Sequence, residues 1–401
     1  MGFLIYNLLT LTKFKKIIMR YLFFDTTWNQ ILRVGNKVAE EMKKATNVEC
    51  LALVYETSGK QVCPDKDVNV FDDFLVTTKI AKIEAYIKEN HPDVVIFAQN
   101  TIPDLAAILY SLQIGAKVVM MQHGLLYDGA SLNNVRIGEI FAALTKARKT
   151  FDYFNILRVM CKHEHKSFLK AIARIVSEKD NVTTTIQNYF DTPLRGHIAF
   201  VIGQHWVDYY HDNYGYNKND IYIMGNHDVD DLEDKEVEDA ICYIPSVHVE
   251  DGHVTSTVFN DFLKALNHAI PDGVKFYIKL HPRSNRAIYE KAFEGRDVTI
   301  ISGKELPYVN LYIGHNSSLL SKALQISGNV ILWGFKEEKE LFYKDFALSV
   351  CHDEVSLVKA VEKALNNVSD KKKLDIGMYS YKNPIGAYRY CGNKILELYN
   401  Q

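Results

Sequence analysis

From Tyr21 to about residue 370, short apolar runs alternate with longer stretches whose apolar residues recur at helical spacing. This rhythm restricts the fold more than any other feature. Short apolar runs bury both faces as strands of a parallel sheet, and amphipathic stretches between them cover those faces as helices. YLFFD (21–25), CLALVY (50–55), DVVIFA (93–98) and KVVMM (117–121) read as buried strands. Residues 28–45, 74–89 and 102–113 read as the intervening helices, with Pro92 and Pro103 where helices stop or start. After a long helical region the pattern resumes with HIAFVIG (197–203), a helix near 204–213 and DIYIMG (220–225).

A second series begins with ICYIP (241–245), followed by a helix at 256–269, VKFYIKL (274–280), a helix from about 286 and VTIIS (298–302). It continues with VNLYIG (309–314), a helix from 317, NVILWG (329–334) and a helix at 354–367. Between the series, the acidic stretch 226–240 lacks apolar periodicity and marks a boundary. A chain of 401 residues is long enough for two domains. The expected fold class is α/β, with two Rossmann-like domains facing each other across a cleft. Their expected extents are 19–227, with a helical insertion at 131–180, and 241–380, and a helix at 385–401 returns to the first domain.

Charge and cysteine content narrow the function. The chain has 47 Lys plus Arg against 49 Asp plus Glu, a formal charge of -2. A nucleic-acid partner, which calls for a strongly basic face, is not expected. Any phosphate must be bound locally. The six cysteines show no CxxC pair and no zinc-type spacing, which reads as reduced thiols in a cytoplasmic protein. Residues 1–18 are apolar and then basic, the reverse of a secretory signal, and read as an appendage. Residues 141–180 carry nine Lys or Arg against four acids. That stretch reads either as a face for peripheral contact with the inner face of the plasma membrane or a lipid-linked acidic acceptor, or as a solvated helix pair.

Chemistry concentrates at strand ends, where open α/β sheets bind ligands. In KFYIKLHPRSN (275–285) a strand runs into Lys279, His281, Pro282 and Arg283. Such a histidine, flanked by cations, is placed to donate to a phosphate oxygen. In LYIGHNSSLLSKAL (311–324) a strand ends at Asn316, Ser317 and Ser318, where a helix opens. Small hydroxyl residues there cap the helix and present N–H groups to an anion. In KVVMMQHGLLYDGAS (117–131) a strand ends in Gln122, His123 and Gly124. A neutral imidazole at that position takes a proton from a hydroxyl near pH 7. No P-loop, no HExxH and no metal set stands out, and Asp228 with Asp230 reads as solvated charge.

The strand ending in HP, followed about 35 residues later by a strand ending in SS at a helix start, resembles the donor half of bacterial sialyltransferases and capsule polysialyltransferases that use CMP-sialic acid. It is also similar to the CDP-glycerol glycerophosphotransferases of teichoic acid and capsule synthesis, and more loosely to capsule Kdo transferases. The resemblance implies a GT-B architecture, phosphate contacts from His281, Ser317 and Ser318, and added charge from Lys279 and Arg283. His123 matches the HG histidine that serves as base in the glycerophosphotransferases. The CMP-sialic acid enzymes use an acidic pair before Gly instead. Glu250, Asp251 and Gly252 match that pattern, and Asp128 before Gly129 matches it in part.

The expected activity is metal-independent inverting transfer of a sialic acid-like sugar from a CMP-activated donor to a surface-glycan hydroxyl, with His123 or Asp251 as base and no cofactor. CDP-glycerol or CDP-ribitol phosphotransfer is the alternative. A UDP-sugar 2-epimerase-like enzyme and a non-catalytic capsule-assembly subunit are further readings. HNSSLLSKAL lacks the Ser-Gly-Gly and paired Glu shared by the epimerases.

Overall fold

The computed structural model describes residues 18–56, 70–98, 101–122, 124, 140–177, 182–250, 254–303, 305–336, 341, 343–366 and 376–400. The chain divides into two compact units, residues 1–225 with 383–401, and residues 226–382.

The first unit is built on a seven-stranded parallel sheet of order β3-β2-β1-β4-β5-β6-β7. Its strands are β1 (Arg20–Asp25), β2 (Glu49–Tyr55), β3 (Asp73–Thr77), β4 (Val94–Phe97), β5 (Lys117–Met121), β6 (Ile198–Val201) and β7 (Ile221–Ile223). The apolar runs in β1, β2, β4 and β5 are buried throughout, as a sheet covered on both faces requires. The helices α1 (Asn36–Ala45), α2 (Ile80–Asn90) and α3 (Ile102–Gln113) fill the first crossovers. Ahead of α1, one helical turn (Trp28–Gln30) runs into a π-helical segment (Ile31–Gly35). Thr101 and Asp104 close a capping box on α3, with Pro in its first turn. Three helices, α4 (Ile140–His163), α5 (Phe168–Ser177) and α6 (Val182–Gln187), lie between β5 and β6, and α7 (Gln204–Tyr214) precedes β7.

The second unit carries a six-stranded parallel sheet of order β10-β9-β8-β11-β12-β13. Its strands are β8 (Glu238–Ile244), β9 (Lys275–Lys279), β10 (Thr299–Ile301), β11 (Val309–Gly314), β12 (Val330–Trp333) and β13 (Ser349–Cys351). Its helices are α8 (Ser256–Ala269), α9 (Arg286–Ala292), α10 (Leu319–Ile326) and α11 (Glu354–Asn366). A core of Tyr243, Phe259, Phe262, Ile278, Leu311 and Trp333 fills one face of the sheet. The last helix, α12 (Ala387–Tyr399), belongs to the first unit and packs on α1. Gly392 permits that approach, because a Cβ there would lie 3.2 Å from Met42 Cγ and 3.4 Å from the Val38 carbonyl.

Two stretches differ from the sequence expectation. Residues 74–89 split into the edge strand β3 and then α2. The acidic stretch at 226–240 does not bridge two bodies, because it is tied within the second unit. Asn226 Nδ2 donates to Ser321 Oγ (3.2 Å) and Ser380 Oγ (2.9 Å), and β8 already begins at Glu238.

Candidate functional site

Counted from its own first strand, the second sheet runs 3-2-1-4-5-6, so the chain leaves β8 towards β9 and later returns on the other side as β11. The crevice outside the carboxyl ends of two such strands is the place where an open parallel sheet receives a nucleotide. Here the Ser246 hydroxyl, just after β8, donates to the Asn316 carbonyl just after β11, at 2.9 Å. The two loops flanking the switch point are thereby held at a fixed spacing.

At the end of β9, residues 281–284 form a tight turn in which Ser284 N–H donates to the His281 carbonyl (2.9 Å). Pro282 presets the backbone angle that the second position of such a turn needs. The Arg283 N–H donates to His281 Nδ1 at 3.1 Å. A ring nitrogen that accepts cannot carry a proton, so this bond selects the neutral tautomer with its proton on Nε2. The bond fixes the orientation of the ring at the strand end. Arg283 is exposed.

Lys279 has partners that the sequence does not suggest. Its side chain is buried, and its ammonium donates to the carbonyls of Gly303 (2.6 Å) and Leu280 (3.3 Å). Burial lowers its pKa. It ties the loop after β10 to the end of β9. Glu250 Oε1 accepts the Asn285 N–H at 3.1 Å, which joins the loop after β8 to the His281 turn.

After β11, Ser317 Oγ accepts the Leu319 N–H (3.3 Å), and the first intrahelical bonds of α10 run from Leu320 to Ser317 and from Ser321 to Ser318. The N–H groups ahead of these lie at the positive end of the helix. Sequence reasoning did not single out the residue that holds this loop, His315, which is fully buried. Its Nδ1–H donates to the Trp333 carbonyl (3.0 Å), so its Nε2 accepts the Tyr243 hydroxyl (2.9 Å). The ring stacks on Phe335 at 4.8 Å and meets the edge of His248 at 4.9 Å. Burial holds its pKa well below the ordinary histidine value, and His248 pushes it the same way. Only its place in the quoted GHNSS motif hinted at this role.

Among the expected residues, His281, Arg283, Asn316, Ser317, Ser318, Glu250 and Lys279 therefore all follow carboxyl ends of neighbouring strands in one unit or lie on them. Asp251 and Gly252, and in the first unit His123 and Asp128, lie outside the described residues. Gln122 is buried; its Nε2 donates to the Gly124 carbonyl (2.9 Å) and its Oε1 accepts the Ile202 N–H (3.1 Å). Among the described residues no group of three or more His, Cys, Asp or Glu is placed to hold a metal ion. The five described cysteines are buried free thiols. No described helix is long and apolar enough to cross a membrane.

No protein-family model matches the chain. No curated protein sequence matches it either. Solved structures do. S. aureus MnaA with UDP is similar over 96% of this chain and 97% of that one, at 10% identity and a TM-score of 0.58. The Neisseria meningitidis UDP-GlcNAc 2-epimerase bound to UDP-GlcNAc covers 95% and 99%, at 13% identity and 0.57. The lipopolysaccharide outer core galactosyltransferase WaaB covers 95% and 100%, at 10% and 0.53. The chain shares their fold, two parallel-sheet α/β domains of GT-B type.

Proposed function

We propose that the protein is a sugar-nucleotide enzyme, and specifically a metal-independent inverting glycosyltransferase. In this reading it moves a sialic acid-like sugar from a CMP-activated donor to a hydroxyl of a surface glycan. The observation that carries the reading is the His281 turn, fixed by the Arg283 N–H to Nδ1 bond at the carboxyl end of β9, across β8 from the strand that leads to the Ser317–Ser318 loop. With the Ser317–Ser318 loop at the adjacent switch point, it supplies uncharged donors for the phosphate of the departing nucleotide. Arg283 adds an exposed cation. The acceptor hydroxyl gives its proton to His123 or Asp251 and attacks the activated carbon. CDP-glycerol or CDP-ribitol transfer would use the same donors for the leaving CMP.

UDP-sugar 2-epimerisation is the second reading, favoured by the solved relatives that carry that activity in their names. Against it stands HNSSLLSKAL, without Ser-Gly-Gly or paired Glu. A direct comparison separates them: free CMP released from CMP-sialic acid, free CMP released from CDP-glycerol, and C2 inversion of UDP-GlcNAc. His281→Ala should lower turnover by about a hundredfold or more, as loss of a transition-state donor does, with an unchanged circular dichroism spectrum. Near-normal activity in that variant would remove the centre of the reading.

The protein also reads as working against an anionic membrane surface. α5 buries Ala171 and Ile175, yet it exposes Leu169 (78%) and Val176 (80%) on its outer side, beside Lys170 and Arg174. An outward apolar strip flanked by cations suits the headgroup boundary of a bilayer.

A further inference from the structure

β9 and β11 lie on opposite sides of β8, and the loop that leaves β8 reaches the turns at the ends of both. On one side Ser246 donates to the Asn316 carbonyl at 2.9 Å, just ahead of Ser317 and Ser318. On the other, Glu250 Oε1 accepts the Asn285 N–H at 3.1 Å. Asn285 follows the His281 turn directly and caps α9, its Oδ1 accepting the Ala287 N–H at 3.2 Å. One loop, rising from the middle strand, thus holds an arm on each phosphate-facing turn.

A loop can position its neighbours only if it is itself anchored. The anchor here is His248, which lies between the two arms and is 4% exposed. Its ring packs edge-on against His315 at 4.9 Å and against Phe335 at 5.3 Å. Its carbonyl accepts the Val254 N–H at 3.2 Å, which closes the loop ahead of α8. Glu250, by contrast, is exposed. Its bond contributes little to folding, because water would satisfy the same N–H. What water cannot do is hold the His281 turn at one distance from the loop.

We propose that the loop 246–250 is the positioning element of the nucleotide site. Glu250 sets the His281 turn through the Asn285 N–H, and Ser246 sets the Ser317–Ser318 turn through the Asn316 carbonyl. Both are positioning residues that act through others. Accepting an N–H needs an oxygen and no negative charge, whereas taking a proton from an acceptor hydroxyl needs the charge. A glutamine amide keeps the first property and loses the second. The inference rests on the reading of the two turns as phosphate contacts and applies to any sugar nucleotide they receive.

The test is a pair of double-mutant cycles on the full chain. Each is read by calorimetric binding of CMP and UDP and by turnover of CMP-sialic acid, CDP-glycerol and UDP-GlcNAc. Glu250→Ala should lower turnover about tenfold and nucleotide affinity about threefold. Both effects should vanish once His281 is replaced by alanine, and persist when Ser317→Ala and Ser318→Ala are the background. Ser246→Ala should show the reverse dependence. Glu250→Gln should restore turnover to within about twofold of wild type. A general loss of structure would lower every background alike and would not be rescued by glutamine. Effects that add in all backgrounds, wild-type activity in both alanine variants, or no binding and no turnover of any probe would overturn the inference. A Glu250→Gln variant as inactive as Glu250→Ala would overturn it too, and would make Glu250 the base. The crossed pattern obtained with UDP-GlcNAc as the substrate, and no turnover of the cytidine donors, would uphold the inference and refute the transferase reading alone.

Discussion

Replacing His315 with glutamine should make the second unit less stable near pH 7.5 and also less sensitive to acid. In the folded chain this fully buried imidazole is bonded at both nitrogens, to the Trp333 carbonyl and the Tyr243 hydroxyl. Burial holds its pKa well below the value of about 6.5 that it takes once unfolded. Above that pH the ring is neutral in both states. Below it the unfolded chain binds one more proton, so this residue's contribution to stability falls by about 1.4 kcal/mol per pH unit. Between pH 6.5 and 5.0 the loss is about 2 kcal/mol. At pH 7.5 the glutamine variant should be less stable by about 1–3 kcal/mol, because a buried hydroxyl or carbonyl loses its partner. The gap between the two proteins should then shrink by about 2 kcal/mol on going to pH 5. Urea unfolding across this range, read by hydrogen exchange at the amides of β11, follows the second unit by itself. Stability curves that stay parallel from pH 7.5 to 5 would refute the reasoning.

Four other perturbations test separate parts of the structure. Ser317→Ala with Ser318→Ala should weaken CMP binding about tenfold, measured by calorimetry, while the melting temperature falls only slightly. Lys279→Met should leave CMP affinity within about threefold but reduce stability by roughly 1–3 kcal/mol in urea, since its ammonium ties Gly303 to β9. A large loss of affinity would return Lys279 to the phosphate. Gly392→Leu should destabilise the first unit by about 1–3 kcal/mol, because a side chain there meets Met42 and the Val38 carbonyl. Leu169→Asp with Val176→Asp should abolish co-sedimentation with vesicles rich in phosphatidylglycerol and leave turnover on a soluble acceptor unchanged.

The alternation of apolar runs gave away the central strands because those strands are buried on both faces. β3 escaped notice for the opposite reason. It lies at an edge, and Asp73 to Val76 are exposed or half-buried, so DFLVT reads like the start of the helix that follows it. β13, three residues long, has too little pattern to register. His281 was legible because HP at a strand end is a local signal, and the turn that fixes its tautomer is made by its own next neighbours. The bond from Lys279 to Gly303 was not legible because its partner lies 24 residues away on a different loop. His315 was equally opaque. It owes its chemistry to burial contributed by distant segments, such as those of Trp333 and Tyr243.

The placement of α12 bears on the order in which the chain acquires structure. The first unit is discontinuous: residues 226–382 are threaded between its sheet and the helix that covers α1. A ribosome releases the whole of the second unit before it releases α12. The second unit can therefore mature while α1 still exposes Val38 and Met42 to the solvent or to a chaperone. Because domains fold as units during synthesis, the earlier-made half of this protein is the one completed last.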